Sequence, residues 1–254
     1  MKPTYKIICG DALEVLPTLP PATMIFADPP DNLGVNYEGF VDDWTQKCQR
    51  YESWLTCRLQ GITTLRVNTT KPGIIWFSIN AKWLSEFLAN LEIMDRCYSL
   101  EEWDKRLVIW RYTFGQHNQN DLGSGFRPII RLKHPKAKLH PDAIRVPSAR
   151  QKKYKDKRAN HDGRVPDDVW EFPRVCGTFK ERRKWHPNQH PEALMERIIK
   201  FSCKPGDTVI DLFGGTGTTL RVCKRLGISC TTIEISKFYC EKMAAETGVE
   251  AENK

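Results

Sequence analysis

Two short stretches of this chain carry residue types that can do chemistry. In "MIFADPPDNLG" (24–34) an apolar run ends in Asp28, Pro29, Pro30 and Asp31. A carboxylate at the tip of a buried strand can accept hydrogen bonds from a substrate. The prolines fix the backbone there and offer no N–H to compete. Taken alone, the same four residues also describe a rigid strand-ending turn. In "VIDLFGGTGTTL" (209–220) apolar residues lead to Asp211, and Phe213, Gly214, Gly215, Thr216, Gly217 and Thr218 run directly into a helical pattern. Glycines permit a sharp turn and let a ligand approach the backbone without meeting a Cβ.

Glu234 follows Asp211 by 23 residues, at the end of the next apolar run. An acid in that place can accept hydrogen bonds from both hydroxyls of a ribose. The spacing is not G-x-G-x-x-G, and no Lys-Ser/Thr follows as in a Walker A loop. An ordinary turn with no ligand is the alternative. A cofactor with one ribose and no pyrophosphate suits the turn, and S-adenosylmethionine is such a molecule.

The elements that must position these residues alternate between strand and helix. Strands are predicted over 5–10, 23–28, 73–79, 106–112, 128–132 and 229–235, with another leading into Asp211. Helices are predicted over "DALEVLPTLP", "AKWLSEFLANL", 190–203, the stretch after the glycine turn, and "SKFYCEKMAAETG". Residues 32–70 add apolar positions at roughly helical spacing. Such alternation implies an α/β fold, a mainly parallel sheet covered on both faces.

A length of 254 residues suits one α/β domain with an insertion, or one large and one small domain, and 40% hydrophobic residues allow a substantial core. No apolar run approaches a membrane span, and the opening is not patterned as a signal peptide. The nine cysteines form no CxxC pair and no Cys/His cluster, so reduced thiols in an intracellular protein, with no metal, are expected. The net charge is +8. It concentrates between Arg127 and Arg158, where twelve Lys/Arg face two Asp. That segment reads as a basic loop region, which is either a solvated face or a surface for a polyanion.

"DLFGGTGTT" resembles the F-x-G-x-G cofactor motif of the DNA amino-methyltransferases, and "ADPPD" resembles their D-P-P-Y catalytic motif. "HPNQHPEALMERII" (186–199) is similar to their H-P-T-Q-K-P-E stretch, and "GRVPDDVWEFP" to a segment that precedes it. The catalytic motif comes first, the basic segment second and the glycine turn last. That order resembles the circularly permuted β group. The resemblance implies a seven-stranded, mostly parallel sheet with one reversed strand, S-adenosylmethionine as cofactor and double-stranded DNA as partner. It divides the chain into 1–115 and 170–254, the two parts of a catalytic domain, around a target-recognition insertion at 116–169. It further implies a cytoplasmic protein of a bacterial or phage-infected cell. A homodimer and a cognate restriction nuclease stay open.

By this resemblance Asp28 and Pro29 would hold an exocyclic amino group, N6 of adenine being favoured over N4 of cytosine because D-P-P is more typical of adenine enzymes. Action on RNA, or a DNA-binding protein that has lost turnover, are the alternatives. Asp11 and Ala12 would lie near the cofactor's adenine. Phe213 to Thr218, with Asp211, would surround its methionine and ribose, Glu234 would hold the ribose hydroxyls, and His186 would flank the pocket. Arg127, Arg131, Lys133, Arg145, Arg150, Lys152, Lys153, Lys155 and Arg158 would contact phosphates. Two departures stand out. The aromatic residue after the second proline is Asp31, so Tyr37, Phe40 or Trp44 would supply the stacking surface, and Asp31 would touch the base edge or take a proton. The lysine of the H-P stretch is replaced by His190, at a helix start where a histidine can equally face solvent.

Overall fold

The computed structural model describes residues 2–38, 40–43, 73–98, 103–115 and 117–254. Trp44 and most of the helical pattern noted within 32–70 lie outside the described residues. The strands are β1 (Tyr5–Cys9), β2 (Met24–Ala27), β3 (Asn36–Tyr37), β4 (Phe40–Val41), β5 (Ile74–Ser78), β6 (Asp104–Tyr112), β7 (Phe126–Lys133), β8 (Val169–Phe172), β9 (Thr208–Asp211), β10 (Ser229–Glu234) and β11 (Ala251–Asn253). Nine of them form one sheet in the order β11-β1-β10-β9-β2-β5-β7-β6-β8, and β3 pairs with β4 in a separate antiparallel hairpin.

Every pairing in the large sheet is parallel except those made by β7, which runs against both β5 and β6. The single reversed strand is as expected; the strand count is not. The two additions to the seven are the edge strands β8 and β11. In β8 only Trp170 and Phe172 turn inward, within four residues flanked by Pro166 and Pro173. Strand β11 has three residues, all exposed. Neither is long enough to show a period. Strand β7 also begins earlier than its apolar stretch, taking in Phe126 and Arg127.

Strands β2 and β5 are buried at every position, which explains their unbroken apolar runs. Met24 pairs with Val209 and Phe26 with Asp211, so the two motif-bearing strands are neighbours although far apart in sequence. One face of the sheet is covered by the helices Ala12–Val15 and Leu84–Tyr98. The other face packs against Glu192–Ser202, Thr218–Leu226 and Lys237–Thr247.

Phe87 anchors the first layer: it is fully buried, with its ring centroid 5.2 Å from that of Phe77 on β5. Phe87→Ala is expected to destabilise the protein by about 3–5 kcal/mol, read as a lower midpoint of denaturant unfolding with an unchanged slope.

Candidate active site

Parallel strands present their carboxyl ends at one edge of the sheet, where α/β proteins open their clefts. Here that edge borders a cavity of about 770 Å³. Its wall includes Asp28, Pro29, Pro30 and Asp31 after β2, Asp211 and the turn Phe213–Thr216 after β9, and Glu234 after β10. Asp11, Ala12, Thr218 and His186 line it too, as do Tyr37 and Phe40. The catalytic-type tip and the glycine turn therefore face one space.

The glycine turn is fixed by its own carboxylate. Glu234 Oε2 accepts from Gly215 N at 2.8 Å, and Oε1 accepts from Ser236 N at 2.8 Å. An added Cβ on Gly214 would overlap Thr232 Cγ2, so the turn can lie against β10 only without a side chain there. Gly217 has a different task from its neighbours. At φ 72° it starts the helix from the left-handed region, against Met243, and it does not line the cavity. Asp11 lines the cavity while its Oδ1 caps the first helix through Leu13 N at 2.8 Å. His186 lies near the turn, its ring centroid 4.5 Å from that of Tyr239. Burial lowers its pKa to about 4, so the imidazole is neutral at physiological pH.

The other end of the cavity holds a network that the sequence did not disclose. Arg127, at the start of β7, pairs with Asp31 through Nη1 to Oδ2 at 2.7 Å and Nη2 to Oδ1 at 2.9 Å. The same Nη2 donates to Asp28 Oδ1 at 2.7 Å, and Nε donates to Ser78 Oγ at 2.7 Å. Ser78 Oγ lies 2.9 Å from His190 Nε2, and His190 Nδ1 lies 3.3 Å from Asp28 Oδ2. Ser78 Oγ accepts from Arg127 Nε and its hydroxyl also reaches Asp28, so Arg127, Ser78 and His190 all face that one carboxylate. Burial pushes the Asp28 carboxyl up, but His190, Arg127 and Ser78 outweigh it and hold it below the usual range.

Several expectations change here. Arg127 is not a surface cation waiting for phosphate; it is enclosed with Asp28 and Asp31. Arg131 is also buried on β7, with Nη2 on Asp104 Oδ2 at 2.5 Å. Lys133 Nζ is turned to the carbonyls of His134, Pro135 and Ala137. Arg145 is tied to Asp142 and to the Gly163 carbonyl. Arg150, Lys152, Lys153, Lys155 and Arg158 remain exposed, Arg158 being paired with Asp156. Both Asp31 oxygens accept from Arg127, so the carboxylate is held by that guanidinium and is not a free group waiting for a base. His190 is not a surface residue: it packs edge-on to Phe26 and lies 5.4 Å from the Trp110 ring.

Tyr112 and Arg174 also line the cavity, the guanidinium lying 5.2 Å over the tyrosine ring. Nothing in the sequence marks this pair beyond an aromatic at the end of a strand. Among the described residues no group of three His, Cys, Asp or Glu could hold a metal ion, and no helix is long and apolar enough to cross a membrane.

Asp211 is a buried acid with no cation among the groups acting on it. Burial, with Asp28 and Glu234 nearby, raises its pKa to about 7 despite help from Thr219 and Phe213 N. Its folded pKa lies above the unfolded one, so ionising it in the fold costs stability progressively as pH rises from about 4 to about 7. Asp211→Asn removes that cost. The stability gain from the substitution should be larger at pH 8 than at pH 5, by on the order of 3 kcal/mol, measured as unfolding free energy at both pH values.

The description "DNA methylase" belongs to the family model that matches residues 22–246. The Type II methyltransferase M.HpaI of Haemophilus parainfluenzae is 34% identical over 95% of this chain and 73% of its own length. The DNA adenine methyltransferase YhdJ of Escherichia coli is 32% identical over 92% of this chain and 79% of its own. Among solved structures, the PvuII DNA methyltransferase (cytosine-N4-specific) superposes with a TM-score of 0.68 at 16% identity, covering 97% of this chain and 89% of that one. The M1.HpyAVI–SAM complex gives 0.60 at 18% identity, covering 96% and 100%. These structural likenesses show the shared fold. On the sequence matches, the chain belongs to the family of N6/N4 DNA methylases.

Proposed function

We propose that the chain transfers a methyl group from S-adenosylmethionine to the exocyclic N6 of adenine in double-stranded DNA, with the base flipped into the cavity. The observation that carries this reading is that Asp28, paired with Arg127 and His190, shares one 770 Å³ cavity with the glycine turn and Glu234. The choice of adenine is supported by the D-P-P motif and by the adenine specificity in the name of one relative.

The cofactor end of the cavity fits such a molecule chemically. Glu234 and Asp211 present buried carboxylates, suited to hydroxyl and amino donors, beside a turn whose backbone is bare at Gly214 and Gly215. Glu234 would hold the ribose hydroxyls, Asp11 and Ala12 would lie by the adenine, and Asp211 with Phe213–Thr216 and Thr218 by the methionine portion. His186 would close that side. The cofactor supplies a methyl group on a sulfonium, an electrophile for an amine nitrogen.

The chain's own residues make the amine reactive. An exocyclic amino nitrogen shares its lone pair with the ring. Asp28 accepts one of its N–H groups and the Pro29 carbonyl the other, which turns the lone pair out of conjugation and stabilises positive charge as it grows. Pro29 and Pro30 donate nothing in competition. As the nitrogen gains its bond to carbon, the methyl carbon–sulfur bond would break to leave a neutral thioether, and one N–H proton would pass to solvent. Tyr37, Phe40 and Tyr112, all on the cavity wall, are among the described residues that could offer the flipped base an apolar face. Arg150, Lys152, Lys153, Lys155 and Arg158 supply exposed charge for the DNA backbone. The permuted β-group order is part of this reading, supported by β2 lying beside β9.

Incubation with labelled S-adenosylmethionine and duplex DNA, followed by nucleoside mass spectrometry, should yield N6-methyladenine. N4-methylcytosine would overturn the choice of base, and an unlabelled duplex the reading as a whole. Asp28→Asn should lower kcat by about 10²–10³-fold while cofactor binding, measured by calorimetry, persists.

A further inference from the structure

We infer that Asp31 is a positioning residue: by engaging the two-pronged face of Arg127 it leaves Asp28 a single bond from that guanidinium, so Asp28 is held in place yet open to the target amino group. This rests on the methyltransferase reading and gives a task to the residue that stands where the family motif has an aromatic.

The donor count carries the inference. A guanidinium has five N–H groups in a rigid fork, and fork-to-fork pairing with a carboxylate is its preferred geometry. Arg127 makes that pairing with Asp31, through Nη1 and Nη2. Its Nε is engaged by Ser78, and only the second N–H of Nη2 reaches Asp28. His190 Nδ1 and the Ser78 hydroxyl provide further contacts to Asp28. An ionised carboxylate has about four lone-pair sites, so about one remains for an N–H of the incoming amine. Without the Asp31 carboxylate, the best partner left for the fork is Asp28 itself, and pairing there would cover both of its oxygens.

Both partners are fixed for this purpose. The Asp31 carbonyl accepts from Trp83 Nε1 at 2.7 Å, which ties the loop to the core. Arg127 projects from a strand paired on both sides, opposite Trp110 on β6. The three side chains are nearly enclosed, with 12% (Arg127), 24% (Asp28) and 11% (Asp31) of their surface exposed, so solvent screens the pairing little.

The test compares Arg127→Gln, Asp31→Asn and the double variant. The titratable groups around Asp28 are Arg127, Tyr112, His190, His186, Asp211, Tyr37 and Asp31. A carbon-13 NMR titration of the Asp28 carboxyl reads the pairing without catalysis. Arg127→Gln should raise that titration and move the acid limb of the kcat–pH profile upward with it. Asp31→Asn should not raise it, yet should lower kcat by on the order of 10- to 100-fold with KM for DNA little changed. In the double variant the competing fork is gone, so kcat should recover above that of Asp31→Asn alone. Should Asp31→Asn fail to fold, Asp31→Glu, which keeps the two acceptors, should retain activity and the wild-type titration. Wild-type kcat in Asp31→Asn, or single losses that simply multiply in the double variant, would overturn the inference. A wild-type protein that methylates nothing sinks the methyltransferase reading instead, and the NMR titration still decides the pairing.

Discussion

A carboxylate that must act inside a closed cavity has to be kept charged, and burial opposes that. Asp28 meets this constraint through one arginine. Arg127 is itself buried, and its pKa is nevertheless raised because Asp28 and Asp31 surround it. The arrangement has two carboxylates on one guanidinium, with a buried histidine completing the ring. Removing the cation alone would leave two acids facing each other beside Asp211, which is why the cluster stands or falls together.

The sheet topology is what makes this cluster available. In a parallel sheet the carboxyl ends of the strands collect at one edge, and their amino ends at the other. Strand β7 runs the opposite way, so its first residues, Phe126 and Arg127, arrive at the same edge as the last residues of β2 and β5. Asp28 and Ser78 come from the finishing ends of their strands and Arg127 from the starting end of its own. One reversed strand thus delivers a long cation to the tip of a parallel neighbourhood, across 99 positions of sequence from Asp28.

Legibility followed the same geometry. The residues at the ends of apolar runs, Asp28, Asp211 and Glu234, were legible because strand ends are where this class of fold does chemistry, and all three meet at the cavity. The glycine turn was legible for a local reason, the absence of side chains. Arg127 was misread because it opens a run of basic residues, and charge spacing alone does not reveal strand direction. His190 is ambiguous in the sequence because a helix start is usually wet; this one faces Phe26 and Trp110. The edge strands β8 and β11 were too short for any period to show. In each case what escaped notice was a pairing between distant segments, whereas what was legible belonged to a single segment.

The two ends of the cavity treat their acids in opposite ways. At the Asp31 end, cation and imidazole pull Asp28 below its ordinary range. At the glycine turn, Glu234 is raised by burial with only backbone N–H groups to help it, and Asp211 is raised to about 7. Among the described residues no cation acts on that second pair. A protein gains no stability from such an arrangement, so its rationale lies in what binds. A ligand carrying positive charge would find the wall most attractive just where the protein has left it uncompensated, and would be held less firmly once that charge was lost. For a methyl donor whose sulfonium becomes a neutral thioether on reaction, the same uncompensated carboxylates that favour entry weaken their hold on the product.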